Sequence, residues 1–189
     1  MNYDEFFETI EEVASMPQTK KDWLTVVNST LTGDLRNLVL SVNIPNYFWS
    51  IPSSSSGKYH PEDEICDGGL VRHTLKTVKV AQEMAPMYDL SKEDLDYAIA
   101  ALLLHDTYKN GAPDAGHTVF EHPTLAAAAV AKVPNPCANI VAGLIISHMG
   151  RWNTSKYSAG ELPVPEDDLQ KFVHLCDYIA SRKAWDIKL

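Results

Sequence analysis

LDYAIAALLLHD, residues Leu95 to Asp106, is the stretch on which the reading of this chain turns. Leucine and alanine favour a helix, and so apolar a run belongs inside a protein. It leads directly into His105 and Asp106, two strong metal ligands. Such a run rarely ends on that pair without a chemical reason. Working outward, His73 lies upstream, and His122, His148 and Asp177 lie downstream. Each sits on or beside an expected helix. Read in order, the six side chains describe a divalent-metal site buried among helices.

Periodicity organises the rest. Residues Asp4 to Ser15 are expected to form an amphipathic first helix, with Phe6, Phe7, Ile10, Val13 and Ala14 on one side. A second begins at Thr19 or Lys20 and reaches Leu31. Gly33-Asp34 breaks it, and Leu35 to Val42 makes a third, closed by Pro45. Gly68-Gly69 opens the fourth, which carries His73 and ends before Pro86. Ser91, with Asp94 at the capping-box offset, starts the fifth, expected to continue through Asp106. His122-Pro123 begins the sixth, with proline suited to the first helical position, and Val133 ends it. Cys137 to Met149 forms the seventh. After a long loop, Glu166 to Ala184 forms the eighth and carries Asp177. No segment sustains period-two alternation, so the expected fold class is an all-α bundle. Ser53–Gly57 (SSSSG) reads as a loop. It divides an N-terminal helical segment, residues 1–52, packed on the core, from the ligand-bearing domain, residues 53–189.

Composition narrows the function classes. At 189 residues the chain fits one domain with a short accessory segment, and its 45% hydrophobic content supports a packed core. The longest apolar stretches, such as Ile140–Ile146, are too short to span a bilayer. The acidic start, MNYDEFFETIEE, lacks the features of a secretory signal. Cys66, Cys137 and Cys176 are scattered, without CxxC spacing, which argues against a disulfide framework or zinc ribbon and for a reducing cytoplasm. The formal net charge of −9 repels polyanions at long range. Single-stranded nucleic acid is therefore a disfavoured partner, whereas a nucleotide or other small phosphorylated substrate is not, because bound divalent metals reverse the local field. A homo-oligomer stays open.

Four imidazoles and two carboxylates suit one or two divalent ions, among Mn, Fe, Co, Ni, Zn or Mg. Such ions lower the pKa of bound water to near neutrality, and two of them can clamp a phosphoryl transfer. No serine or cysteine stands in a convincing nucleophilic setting.

The ordered set resembles the HD-domain superfamily of metal-dependent phosphohydrolases over roughly residues 58 to 182. The matching stretches are GGLVRHT (Gly68–Thr74), LLLHDTYK (Leu102–Lys109), EHPT around His122, ISHMG around His148 and LCDYIASR (Leu175–Arg182). The first, with Lys58-Tyr59-His60 upstream, is similar to the subgroup containing bacterial 3′–5′ exoribonucleases with an HD domain. The resemblance implies that His73, His105, Asp106 and Asp177 bind one metal. His122 and His148 fall on positions that add a second, with Asp106 bridging. Lys109 matches the lysine of an HDxGK form and places a cation on a phosphate oxygen. Asp106 and Lys109 are thus the expected catalytic residues. Tyr108 departs from the glycine of that form, and its ring is expected to narrow the pocket or stack on a base. His60, Arg151 and Lys156 are candidate substrate contacts, and Trp152 and Tyr157 candidate stacking rings. His117 and His174 carry no assigned role. The expected activity is hydrolysis of a nucleotide or small phosphate ester by metal-activated water. The alternatives are a 3′–5′ exonuclease, a cyclic (oligo)nucleotide phosphodiesterase and a non-catalytic nucleotide-binding regulatory module.

Overall fold

The apolar run becomes the centre of the molecule. In a computed structural model describing residues 14–158 and 160–189, Ala98 to Leu104 are each 2% exposed or less. They form most of α4 (Lys92–Leu104), which packs against α1 (Gln18–Thr30), α2 (Gly33–Ser41), α3 (Gly69–Met84), α6 (Ala138–Ile146) and α7 (Asp168–Ala180). The remaining helix, α5 (His122–Ala131), packs on α6. The described residues are thus helical, with four 3₁₀ turns and a single isolated β-bridge, Thr154 to Glu161. No helix among them is long and apolar enough to cross a membrane.

The expected Asp4–Ser15 helix lies outside the described residues apart from Ala14 and Ser15. Three other expectations need correction at helix ends. The fifth expected helix was to include His105 and Asp106, but α4 stops at Leu104. A tighter turn follows, with Thr107 N–H on Leu104 O at 3.1 Å, and side chains take up the last carbonyls. His105 Nδ1 donates to Leu102 O at 2.7 Å, Trp23 Nε1 to Leu103 O at 3.3 Å and Thr107 Oγ1 to Leu104 O at 2.8 Å. The seventh expected helix was to reach Met149, but α6 stops at Ile146 because the His148 ring and backbone N–H both turn back onto Ile145 O. The eighth is shorter at both ends than Glu166–Ala184. A capping box of Asp167 and Gln170 starts α7 at Asp168, and Ser181 N–H closes it on Asp177 O.

The segment before residue 53 shares one apolar core with the rest, through Trp23, Val27, Leu31, Leu38, Val39 and Phe48. Polar contacts add to this. Tyr47 OH donates to Gly111 O at 2.7 Å, and Tyr108 OH to Asn43 O at 2.8 Å. The Tyr108 ring thus straps the N-terminal segment to the turn after α4. The serine-rich loop also does more than connect. Ser53 is fully buried, and its N–H and hydroxyl both donate to Glu64 O at 2.9 Å. A Cβ on Gly69 would lie 2.0 Å from that same carbonyl, so only glycine lets the loop press against the first turn of α3.

Candidate metal centre

Five elements deliver the six expected ligands to one place. His73 comes from α3, His105 and Asp106 from the turn ending α4, His122 from the first residue of α5, His148 from the turn after α6, and Asp177 from α7. All but the partly buried Asp177 are 1% exposed or less. His73 Nε2 lies 3.0 Å from Asp177 Oδ1, and His105 Nε2 lies 3.7 Å from the same oxygen and 3.4 Å from Asp106 Oδ2. The other Asp106 oxygen, Oδ1, is 3.1 Å from His122 Nε2 and 3.6 Å from His148 Nε2. These donors fall into overlapping groups: His73, His105 and Asp106; His105, His148 and Asp177; and Asp106, His122 and His148. Asp106 turns one oxygen toward each side of the cluster.

The far nitrogen of each ring explains why the near one is available. A carbonyl oxygen can only accept, so a ring nitrogen bonded to it carries the proton. Nδ1 of His105, His122 and His148 donates to the carbonyl three residues earlier, of Leu102, Val119 and Ile145, at 2.7 to 2.8 Å. Each ring then turns its Nε2 toward carboxylate oxygen or another ring nitrogen. His122 Nε2 and His148 Nε2 are 3.3 Å apart, and His105 Nε2 and Asp106 Oδ1 are buried with no hydrogen-bond partner. Electron-rich atoms packed this closely repel unless a cation or added protons lie between them. A mixed imidazole and carboxylate set of this kind fits a divalent metal.

His73 differs, because its Nδ1 faces a carboxylate, Glu64 Oε2, at 3.2 Å. Burial alone would lower its pKa, but hydrogen bonds to Asp177 and Glu64 outweigh that and raise it to about 10. His122, beyond the reach of those two, is lowered to about 4 by burial and by the Lys109 charge. Burial would raise both carboxylates of the cluster. Lys109 and His105 nevertheless hold Asp106 well below its ordinary value, and His73 and His105 do the same for Asp177. The metal-free centre thus keeps its carboxylates ionised and ready to coordinate.

Of the other expected site residues, Lys109 and His60 border the cluster. Lys109 Nζ sits 2.6 Å from Asp106 Oδ2. His60 Nδ1 lies 2.8 Å from Glu64 Oε2, and its ring centroid is 5.0 Å from that of His73. Arg151 and Lys156 are exposed, placed over the rings of Trp152 and Tyr157.

Two residues escaped the sequence reading. Glu64 is fully buried beneath His60, His73 and Lys76, and burial, which would raise its pKa, is outweighed by the two histidine hydrogen bonds, which lower it to about 2. It lies within the acidic run Glu62–Asp67, which looks like a solvated surface. His174 donates from Nδ1 to His148 O at 2.7 Å. A Cβ on Gly150, at φ +54°, would lie 2.3 Å from that ring. Its place one helical turn before Tyr178 was the only available signal.

The family model of the HD domain matches residues 70–182. A helical bundle holding clustered histidines and aspartates is what that family is built on, and this chain belongs to the HD domain family. Its members are in general metal-dependent hydrolases that bind divalent ions. Comparison with curated proteins and with solved structures finds no match.

Proposed function

We propose that this protein is a divalent-metal-dependent phosphohydrolase that acts on a nucleotide or other small phosphate ester. One observation carries the reading: three buried imidazoles, each fixed at Nδ1 by a backbone carbonyl, aim Nε2 at ionised carboxylate oxygens 3.1 to 3.7 Å away. His73, His105, Asp106 and Asp177 would hold one ion, His122 and His148 would hold a second, and Asp106, with an oxygen toward each group, would serve both. When bound, such ions lower the pKa of coordinated water and polarise a phosphoryl oxygen.

The protein residues supply position and charge. Backbone anchors keep the rings from swinging, so no reorganisation accompanies the reaction. Lys109 Nζ, beside Asp106, offers a cation to a non-bridging phosphoryl oxygen. His60, 13% exposed at its side chain, borders the cluster where a substrate reaches it. Arg151 and Lys156, exposed on the loop beyond α6, remain candidate substrate contacts.

The net charge of −9 favours a small ester over a polymer. The likeness of Gly68–Thr74 to the exoribonuclease subgroup keeps phosphodiesters, linear and cyclic, among the compounds to assay. The test is a panel of nucleoside mono-, di- and triphosphates, cyclic nucleotides and short oligonucleotides, each with Mn²⁺, Mg²⁺, Co²⁺, Ni²⁺, Zn²⁺ or Fe²⁺. Turnover is expected to fall at least ~100-fold in Asp106→Ala, of unchanged helical content. Turnover equal to that of the variant with every metal contradicts the reading. Nucleotide binding without product would point to a regulatory module.

A further inference from the structure

Beside the cluster, one cation is enclosed by aromatic rings. The Arg182 guanidinium lies 4.0 Å from the centroid of Tyr178, 5.0 Å from Tyr59 and 5.3 Å from Trp152. Trp152 and Tyr178 are stacked, with centroids 5.5 Å apart and planes at 17°. Arg182 Nε is buried and has no hydrogen-bond partner. Yet Tyr59, Trp152 and Tyr178 are 51%, 40% and 37% exposed. Large rings gathered at a surface around an unused donor are not accounted for by core packing.

Their place in the chain ties them to the metal centre. Tyr59 precedes His60, whose ring packs on His73. Trp152 ends the 3₁₀ turn that follows His148, and Tyr178 follows Asp177. His174 links the two sides, with its Nδ1 on His148 O and its ring 5.9 Å from Trp152. The rings are therefore tied to the metal centre through residues beside it in the chain and through His174.

We propose that Tyr59, Trp152, Tyr178 and Arg182 form a base-recognition subsite, which makes the substrate of the neighbouring centre a nucleotide and not a bare sugar phosphate. This rests on the phosphohydrolase reading and adds the part of the substrate that the ligand cluster cannot select. Aromatic faces and guanidinium planes both stack on nucleobases, which suits rings that stand 37% to 51% exposed around the Arg182 cation. A single such platform on an acidic protein suits one nucleotide better than a strand, which needs a run of cations.

The experiment compares a panel of nucleoside monophosphates with ribose 5-phosphate, using the Mn²⁺-loaded protein, Trp152→Ala and Arg182→Gln. The ratio of kcat/KM for the preferred nucleotide over ribose 5-phosphate is expected to fall roughly tenfold in Trp152→Ala, with the loss in KM. A ratio unchanged in both variants overturns the subsite and leaves the hydrolase standing. If nothing is hydrolysed, equilibrium dialysis of the same compounds decides. Nucleotide binding that weakens in Trp152→Ala, with ribose 5-phosphate unbound, upholds the subsite while the hydrolase reading fails. Equal or absent binding of the two compounds overturns it.

Discussion

At the scale of single residues, Glu64 does for His73 what backbone carbonyls do for His105, His122 and His148. It accepts the hydrogen bond of the far ring nitrogen, and its own place is set by Ser53 and by the bare Cα of Gly69. Replacing it with glutamine keeps the size but removes the charge. Glu64→Gln is expected to weaken divalent-metal affinity roughly 10- to 100-fold, read by competition with a chelating dye. Unchanged affinity would mean that His73 needs no partner at Nδ1. His73 also sets a proton balance. Its pKa is raised to about 10, so it is cationic near neutral pH in the metal-free protein, while His122, lowered to about 4, is already neutral. A metal must displace the His73 proton. Affinity is therefore expected to rise with pH, with release of about one proton measured by calorimetry in buffers of different ionisation enthalpy. A binding enthalpy independent of buffer would contradict this. The six ligands were legible because they are histidines and aspartates set against apolar neighbours. Glu64 was not, since nothing in an acidic loop marks the one carboxylate that turns inward.

At the scale of elements, the ends of helices matter more than their lengths. The periodic pattern located α1 to α7 but overran the ends of α4, α6 and α7, because a ring that turns back onto the preceding carbonyl cannot be seen in hydrophobic spacing. Those overruns fall on His105, Asp106 and His148. His105 keeps helical dihedrals, φ −54° and ψ −38°, while its ring turns back onto Leu102 O, which fixes the direction of Nε2. Trp23 is part of this device, since its indole caps Leu103 O from the opposite side of the core. Trp23→Phe keeps a ring there but strands a buried carbonyl. It is expected to lower stability by about 1–3 kcal/mol, read as a lower urea midpoint. An unchanged midpoint would show that the carbonyl finds another donor.

At the scale of the whole molecule, an almost uniformly apolar central helix is surrounded by others, and the metal centre forms where the ends of three helices meet the sides of two. The all-α class followed from helical periodicity without sustained period-two alternation, and the family from the order of histidines and aspartates along the chain. The strapping of residues 18–49 onto the turn after α4 did not. It depends on tyrosine and tryptophan hydrogen bonds to backbone carbonyls more than sixty residues away in sequence. Metal-dependent hydrolysis requires that the six side chains converge on divalent ions. Anomalous diffraction from crystals grown with Mn²⁺ tests it. The expected result is density among His73, His105, Asp106 and Asp177, with a second peak beside His122 and His148 sharing Asp106. A fully loaded crystal with no anomalous density between these residues would contradict it.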